Sequence, residues 1–192
     1  MSVSLTWLAD GYGGKRAFVR HLAARFEVAL GRHRQFIGKD IRDPSRLFFV
    51  CKGNICRSPF AEQLARGLGI DACSAGLEAD AGRRADARAI VVAQRHGVDL
   101  AQHRSRRLHA LDVKEGDVVV AFEPEHAWKL RSHLPRGTPI VLLGMFGRLP
   151  CAYLHDPYGL SEGYFDACFA RIGEALRALQ ARAIPPPSES RA

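Results

Sequence analysis

From Arg46 onward the chain alternates short runs of β-branched and aromatic residues with longer segments of helical period. Brief apolar runs closed by turn residues read as buried strands, here over 47–50, 72–75, 117–122 and 139–143. Helical patterns follow over 59–68, 86–95, 125–134 and 162–181. In the last, Phe165, Cys168, Phe169, Ile172, Leu176 and Leu179 fall on one stripe that can pack on a sheet. Strand–helix alternation of this kind predicts an α/β domain, a four-stranded parallel sheet with helices on both faces. Ser58 before Pro59 predicts a helix N-cap, and Glu62 stands near the distance that closes a capping box.

Two end segments lie outside this pattern. Residues 1–45 form an N-terminal extension with glycines at Gly11, Gly13 and Gly14, then a helix over 15–30. On that helix Phe18, Leu22, Phe26 and Leu30 recur every fourth residue, while Lys15, Arg16, Arg20, His21 and Arg25 take other positions. Such a stripe packs on the core, or the basic amphipathic helix makes peripheral contact with a membrane or partner. The strand–helix pattern fills 46–181, and residues 182–192, with three consecutive prolines, read as a disordered tail.

Twenty-eight basic residues against 20 acidic ones give a formal charge of +8, which favours anionic partners. Arginines are not interleaved with aromatics along one stripe, so no nucleic-acid partner is expected. Five cysteines, an odd number, and an opening without signal-peptide pattern fit a reducing cytoplasm. The apolar runs are too short to span a bilayer.

The segment Phe49-Val50-Cys51-Lys52-Gly53-Asn54-Ile55-Cys56-Arg57-Ser58-Pro59 joins a strand to a helix through a compact loop. Backbone N–H groups of such a curl point inward at an anion, and the helix dipole adds positive potential there. Gly53 and Asn54 tolerate the left-handed angles the curl requires. Arg57 offers a planar fork for two phosphate oxygens and stays charged. Cys51 at the base of the cradle is an in-line nucleophile once ionised. Ser58 can donate to its sulfur.

This loop resembles the C-x-G-N-x-C-R-S-P active-site loop of the low-molecular-weight protein tyrosine phosphatases, with every fixed position met. The resemblance runs from Arg46 to about Ala181 through Ser74-Ala75-Gly76, Ala85-Asp86-Ala87, His103-Arg104-Ser105 and Asp156-Pro157-Tyr158-Gly159. It implies the Rossmann-like fold of that family and hydrolysis of phosphotyrosine through a cysteinyl-phosphate, with no metal or cofactor. It casts Cys51, Arg57 and Asp156 as catalytic, Asp156 being the acid that protonates the leaving phenol. Lys52, Gly53, Asn54, Ile55, Cys56 and Ser58 would line the phosphate loop. Tyr158 and Leu77 would wall the substrate ring, and Ser74 and His103 would brace Asn54. The resemblance also makes Cys56 a partner that can trap Cys51 in a reversible disulfide.

Leu77-Glu78-Ala79 stands where many family members carry a tryptophan, which resembles the bacterial branch associated with polysaccharide export. Phosphotyrosine proteins, a tyrosine autokinase of that system among them, are the implied substrates. Protein arginine phosphatases share the loop but carry Thr where this chain has Ile55. Arsenate reductases of this fold need two further cysteines on a mobile segment, and Cys151 and Cys168 are placed wrongly for it. A non-catalytic phosphotyrosine-binding module would need neither Cys51 nor Asp156.

Overall fold

Four short strands rich in Val, Phe and Leu pair in parallel because helices connect them on the sheet's faces. In the computed structural model, which describes residues 3–38, 41–109 and 112–183, these are β1 (Arg46–Cys51), β2 (Ala72–Gly76), β3 (Asp117–Ala121) and β4 (Ile140–Leu142), in the order β2-β1-β3-β4. Each strand alternates its side chains between two cores. Leu47, Phe49, Val118 and Val120 join one with α3 (Arg57–Gly67), α4 (Ala87–Arg95) and α6 (Glu162–Ala183). Phe48, Val50, Val119 and Leu142 join the other with α5 (Pro124–His133). Between α3 and α6 the rings of Phe60 and Phe169 stack at 4.0 Å. The expected α/β architecture, a four-stranded parallel sheet with helices on both faces, is thus the observed one.

The N-terminal segment differs from its reading. Two helices stand where the pattern gives one: α1 (Val3–Tyr12) precedes α2 (Lys15–Ala29). The α1 sequence, with Leu5, Trp7 and Leu8 before three glycines, lacks a clean helical period. Gly13 and Gly14, both at positive φ, turn the chain between them. A Cβ at Gly13 would meet the side chains of His155 and Leu160 at 2.9 Å, so this turn presses on the body of the molecule. Ser161 Oγ donates to Asp10 at 2.6 Å, Phe36 is fully buried in the second core, and the Asp43 N–H donates to the Ala183 carbonyl at 2.7 Å.

The stripe on α2 faces the opposite way from a core-packing stripe. Leu22, Phe26 and Leu30 are exposed and Phe18 is half-buried, whereas Ala17 and Ala24 are buried. Small residues let the helix approach closely, and polar contacts seat it: Arg20 Nη1 donates to the Tyr153 hydroxyl at 3.3 Å, and His21 Nδ1 lies 3.2 Å from Cys151 Sγ. The reading of 182–192 as a disordered tail falls, from residue 184, outside the described residues, while Arg182 and Ala183 end α6.

Candidate active site

Cys51 ends β1 at the carboxyl edge of the sheet, where β1 lies between β2 and β3 and connections leave in opposite directions. Crevices at such switch points are the usual ligand sites of open α/β sheets. The loop 52–56 curls over the Cys51 sulfur, and α3 starts at Arg57. Ser58 is therefore inside the helix rather than its cap. Its hydroxyl lies 3.0 Å from Cys51 Sγ, and the Asn54 N–H donates to the same sulfur at 3.3 Å. Glu62 does not close a capping box either; it accepts from Ser74 Oγ at 2.5 Å and pairs with Arg66 at 2.8 Å.

Asn54 adopts φ +53 and is fully buried. Its Nδ2 donates to Ser58 Oγ at 2.9 Å and Ser74 Oγ at 2.8 Å, and its Oδ1 accepts from the Arg106 N–H at 2.9 Å. His103 Nε2 donates to the Asn54 carbonyl at 2.8 Å. Burial pushes the His103 imidazole below its usual range, against the pull of that carbonyl, so it serves as a neutral donor. A proton direction follows. Because Asn54 donates to the Ser58 oxygen, the Ser58 O–H is free to donate to the sulfur at 3.0 Å, its other acceptor, the Ala75 carbonyl, lying farther off at 3.4 Å. Gly76 permits the packing, since a Cβ there would meet the Lys52 carbonyl at 2.7 Å and the Asn54 nitrogen at 2.9 Å.

Arg57 is 1% exposed. Nη1 donates to Glu123 and to the Leu154 carbonyl at 2.7 Å, Nη2 lies 2.9 Å from Asp156 Oδ2, and Phe122 packs on the guanidinium. Burial alone would lower its proton affinity, but the charges of Asp156, Glu123 and Cys51 raise it. Its Nε–H is buried without a partner among the described residues, the donor left over for a phosphate oxygen.

A cavity of about 260 Å³ opens above Cys51, lined by Lys52, Gly53, Ile55, Cys56, Asp156 and Tyr158 together with Glu78 and Arg83. The Tyr158 ring is exposed at its mouth. Asp156 is set over the opening by Arg57 and by the Tyr158 N–H, which donates to its Oδ1 at 3.3 Å. Leu77 stands apart from this wall. It is half-buried against the second core, because its N–H donates to the Cys51 carbonyl at 3.0 Å and its side chain turns away; Glu78 takes the mouth position, near Lys52 and Lys129. Burial, with the charges of Asp156 and Cys51, pushes the Cys56 thiol up, so it stays protonated beside Cys51.

Glu123, the Leu154 carbonyl and the Arg106 N–H were not among the residues read from sequence. Glu123 had one usable signal, its place directly after β3 at the carboxyl edge.

Residues 46–184 match the family model for low molecular weight phosphotyrosine protein phosphatase. The chain belongs to that family. The low molecular weight protein-tyrosine-phosphatase Etp of Escherichia coli K12 is 35% identical over 132 residues, covering 67% of this chain and 88% of Etp. The solved structure of Vibrio vulnificus Wzb in complex with benzylphosphonate superposes with TM-score 0.66 at 31% identity, covering 72% of this chain and 99% of that Wzb chain. The YwlE arginine phosphatase of Geobacillus stearothermophilus gives TM-score 0.66 at 27% identity, covering 72% and 92%. The expected family, fold and phosphatase activity all stand.

Proposed function

We propose that this phosphatase hydrolyses phosphotyrosine with Cys51 as nucleophile, Arg57 and the loop amides as phosphate clamp, and Asp156 as acid and then base. The observation that carries this reading is that Cys51 and Asp156 line one cavity, with the buried Arg57 guanidinium behind it, 2.9 Å from the Asp156 carboxylate. A bound phosphate dianion competes with Asp156 for Arg57 Nη2 and frees the carboxyl group to face the leaving oxygen. The thiolate attacks phosphorus as the phosphorus–phenol oxygen bond breaks, and Asp156 gives that oxygen its proton. Water then attacks the cysteinyl-phosphate, Asp156 takes its proton, and sulfur leaves as a thiolate held by Ser58 and the Asn54 N–H.

Ile55 in the cavity wall and Tyr158 at its mouth support an aromatic substrate over a phosphoarginine, whose guanidinium would meet an apolar surface. With p-nitrophenyl phosphate, Cys51→Ser should abolish turnover. Asp156→Ala should slow phenyl phosphate far more than the activated nitrophenyl ester. Turnover by Cys51→Ser, or equal loss on both esters in Asp156→Ala, would remove these roles.

The autokinase of a polysaccharide export system is the substrate we propose from the resemblance of the Leu77 segment. A cytoplasmic site of action is supported by the five cysteines, all free thiols. We also propose peripheral contact with an anionic bilayer through α2. Val19, Leu22, Phe26 and Leu30 are all at least half exposed on its outward side, with Trp7 of α1 close to Phe18 at 6.3 Å between rings. Lys15, Arg16, Arg20 and Arg25 surround this apolar face with positive charge, and the helix's one acid, Glu27, is paired to Arg32 and His33. That combination suits anionic headgroups above acyl chains.

A further inference from the structure

A second cavity, of about 450 Å³, lies between the N-terminal helix pair and the phosphatase body. Cavities of this size accommodate small organic molecules. The family match begins at residue 46, so the Tyr12, His21 and Arg25 side of this cavity comes from the segment outside it. Arg148 and Tyr153 from the chain after β4, and Arg171 from α6, complete the polar lining.

Its charge is one-sided. Three guanidiniums face one carboxylate, Glu174, whose Oε1 is taken by the Arg148 backbone N–H at 2.5 Å. Among the described residues none of the three arginines forms an ion pair, whereas Arg32, Arg66 and Arg95 each do. Arg171 is held in place. Its Nη2 donates to the Gly11 carbonyl at 2.6 Å and its guanidinium lies 5.1 Å from the Tyr12 ring centre. Fixing a guanidinium before a ligand arrives reduces the entropy lost on binding. Burial, then the charges of Arg171 and Arg25, push His21 below its usual range. Burial keeps Cys151 a thiol, so its S–H can donate to His21 Nδ1 at 3.2 Å, which leaves Nε2–H as a neutral donor.

The wall of this cavity is continuous with the catalytic site. Cys151, Tyr153 and Leu154 line it, the Leu154 carbonyl holds Arg57 Nη1 at 2.7 Å, and Asp156 follows two positions later. Tyr153, in the wall, is bonded to His155 Nδ1 at 2.7 Å. A ligand that orders this strip acts on both Arg57 and the acid.

We propose that the cavity is a regulatory site for a small organic anion, a phosphate or phosphonate head on an aromatic body, whose occupancy alters turnover at Cys51. The guanidiniums take the head, and the apolar lining from Leu149 and Leu154, with the edges of the Tyr12 and Tyr153 rings, takes the body. Binding stands apart from the proposed substrate; the effect on turnover rests on the catalytic reading.

The test uses phenylphosphonate and the full chain. Calorimetry should count two molecules bound to the wild type and one to Arg57→Met, which disables the catalytic clamp. In Arg25→Ala/Arg148→Ala, two exposed side chains without partners among the described residues, the second molecule should bind at least about tenfold more weakly while turnover without phenylphosphonate is unchanged. Inhibition of p-nitrophenyl phosphate hydrolysis should be mixed in the wild type and purely competitive in the double variant. One molecule bound to the wild type and none to Arg57→Met overturns the site, as does a second site untouched by the double variant. Purely competitive inhibition in both proteins overturns the regulation. Failure of the catalytic reading is separately visible as no wild-type turnover before any phenylphosphonate is added.

Discussion

At the scale of the residue, Asn54 carries two duties that substitutions can separate. It holds a left-handed backbone angle, and its side chain ties Ser58, Ser74 and the Arg106 N–H together. Asn54→Gly keeps the angle and loses the ties, whereas Asn54→Ala loses both. Left-handed backbone costs an alanine about 1 kcal/mol, and each buried bond lost costs a similar amount. Asn54→Ala should therefore melt below Asn54→Gly in calorimetry, with both about tenfold or more down in kcat because Ser58 is no longer oriented toward sulfur. Equal melting of the two variants would mean the angle carries no strain. The loop was legible in the sequence because its parts are contiguous: Cys51 to Ser58 sit on one turn. Glu123 and the Leu154 carbonyl reach Arg57 across 66 and 97 positions, a distance at which no local pattern reports contact.

At the scale of the element, the strands and the helices behind them were legible to within about two residues, because each buries one face at a fixed period. The sequence spacing on α2 also located a true apolar stripe, but a period says that a face exists and not which way it turns. Ala17 and Ala24 decided the orientation, since small residues admit the close approach that Phe18, Leu22 and Phe26 would block. The exposed stripe leads to a direct measurement. The wild type should sediment with vesicles containing an anionic phospholipid and much less with neutral ones, and added salt should weaken the binding. Leu22→Asp/Phe26→Asp, both exposed in the wild type, should abolish sedimentation and leave hydrolysis of p-nitrophenyl phosphate intact. Equal sedimentation of the variant would refute the membrane face; a wild-type dimer that the variant dissolves would assign the stripe to a second copy of the chain.

At the scale of the whole molecule, packing encloses histidines in several places. His21, His103, His126 and His155 all lie below their usual range, each chiefly through burial. Arg171 and Arg25 deepen the effect at His21, and Arg104 and Arg106 act likewise at His103 against Glu62. Glu123 and Asp156 oppose it at His126 and His155, where Arg57 reinforces it. For a group depressed in the fold, the unfolded chain takes its proton first on acidification, near pH 6.5. Stability is therefore full above that value and falls as pH drops through it toward the lower folded values, by at most about 1.4 kcal/mol per pH unit for each histidine. Glu78 and Glu125, depressed by hydrogen bonds from Lys129, act in the same direction only at lower pH, below the unfolded carboxyl range. The melting temperature should thus decline between pH 7.5 and 5.5 without help from those carboxylates. His126→Leu removes one buried ring, whose Nδ1 has no partner among the described residues, and should flatten that decline. A decline of the same slope in His126→Leu would show that this ring does not titrate with folding, and a melting temperature level across the window would exclude all four.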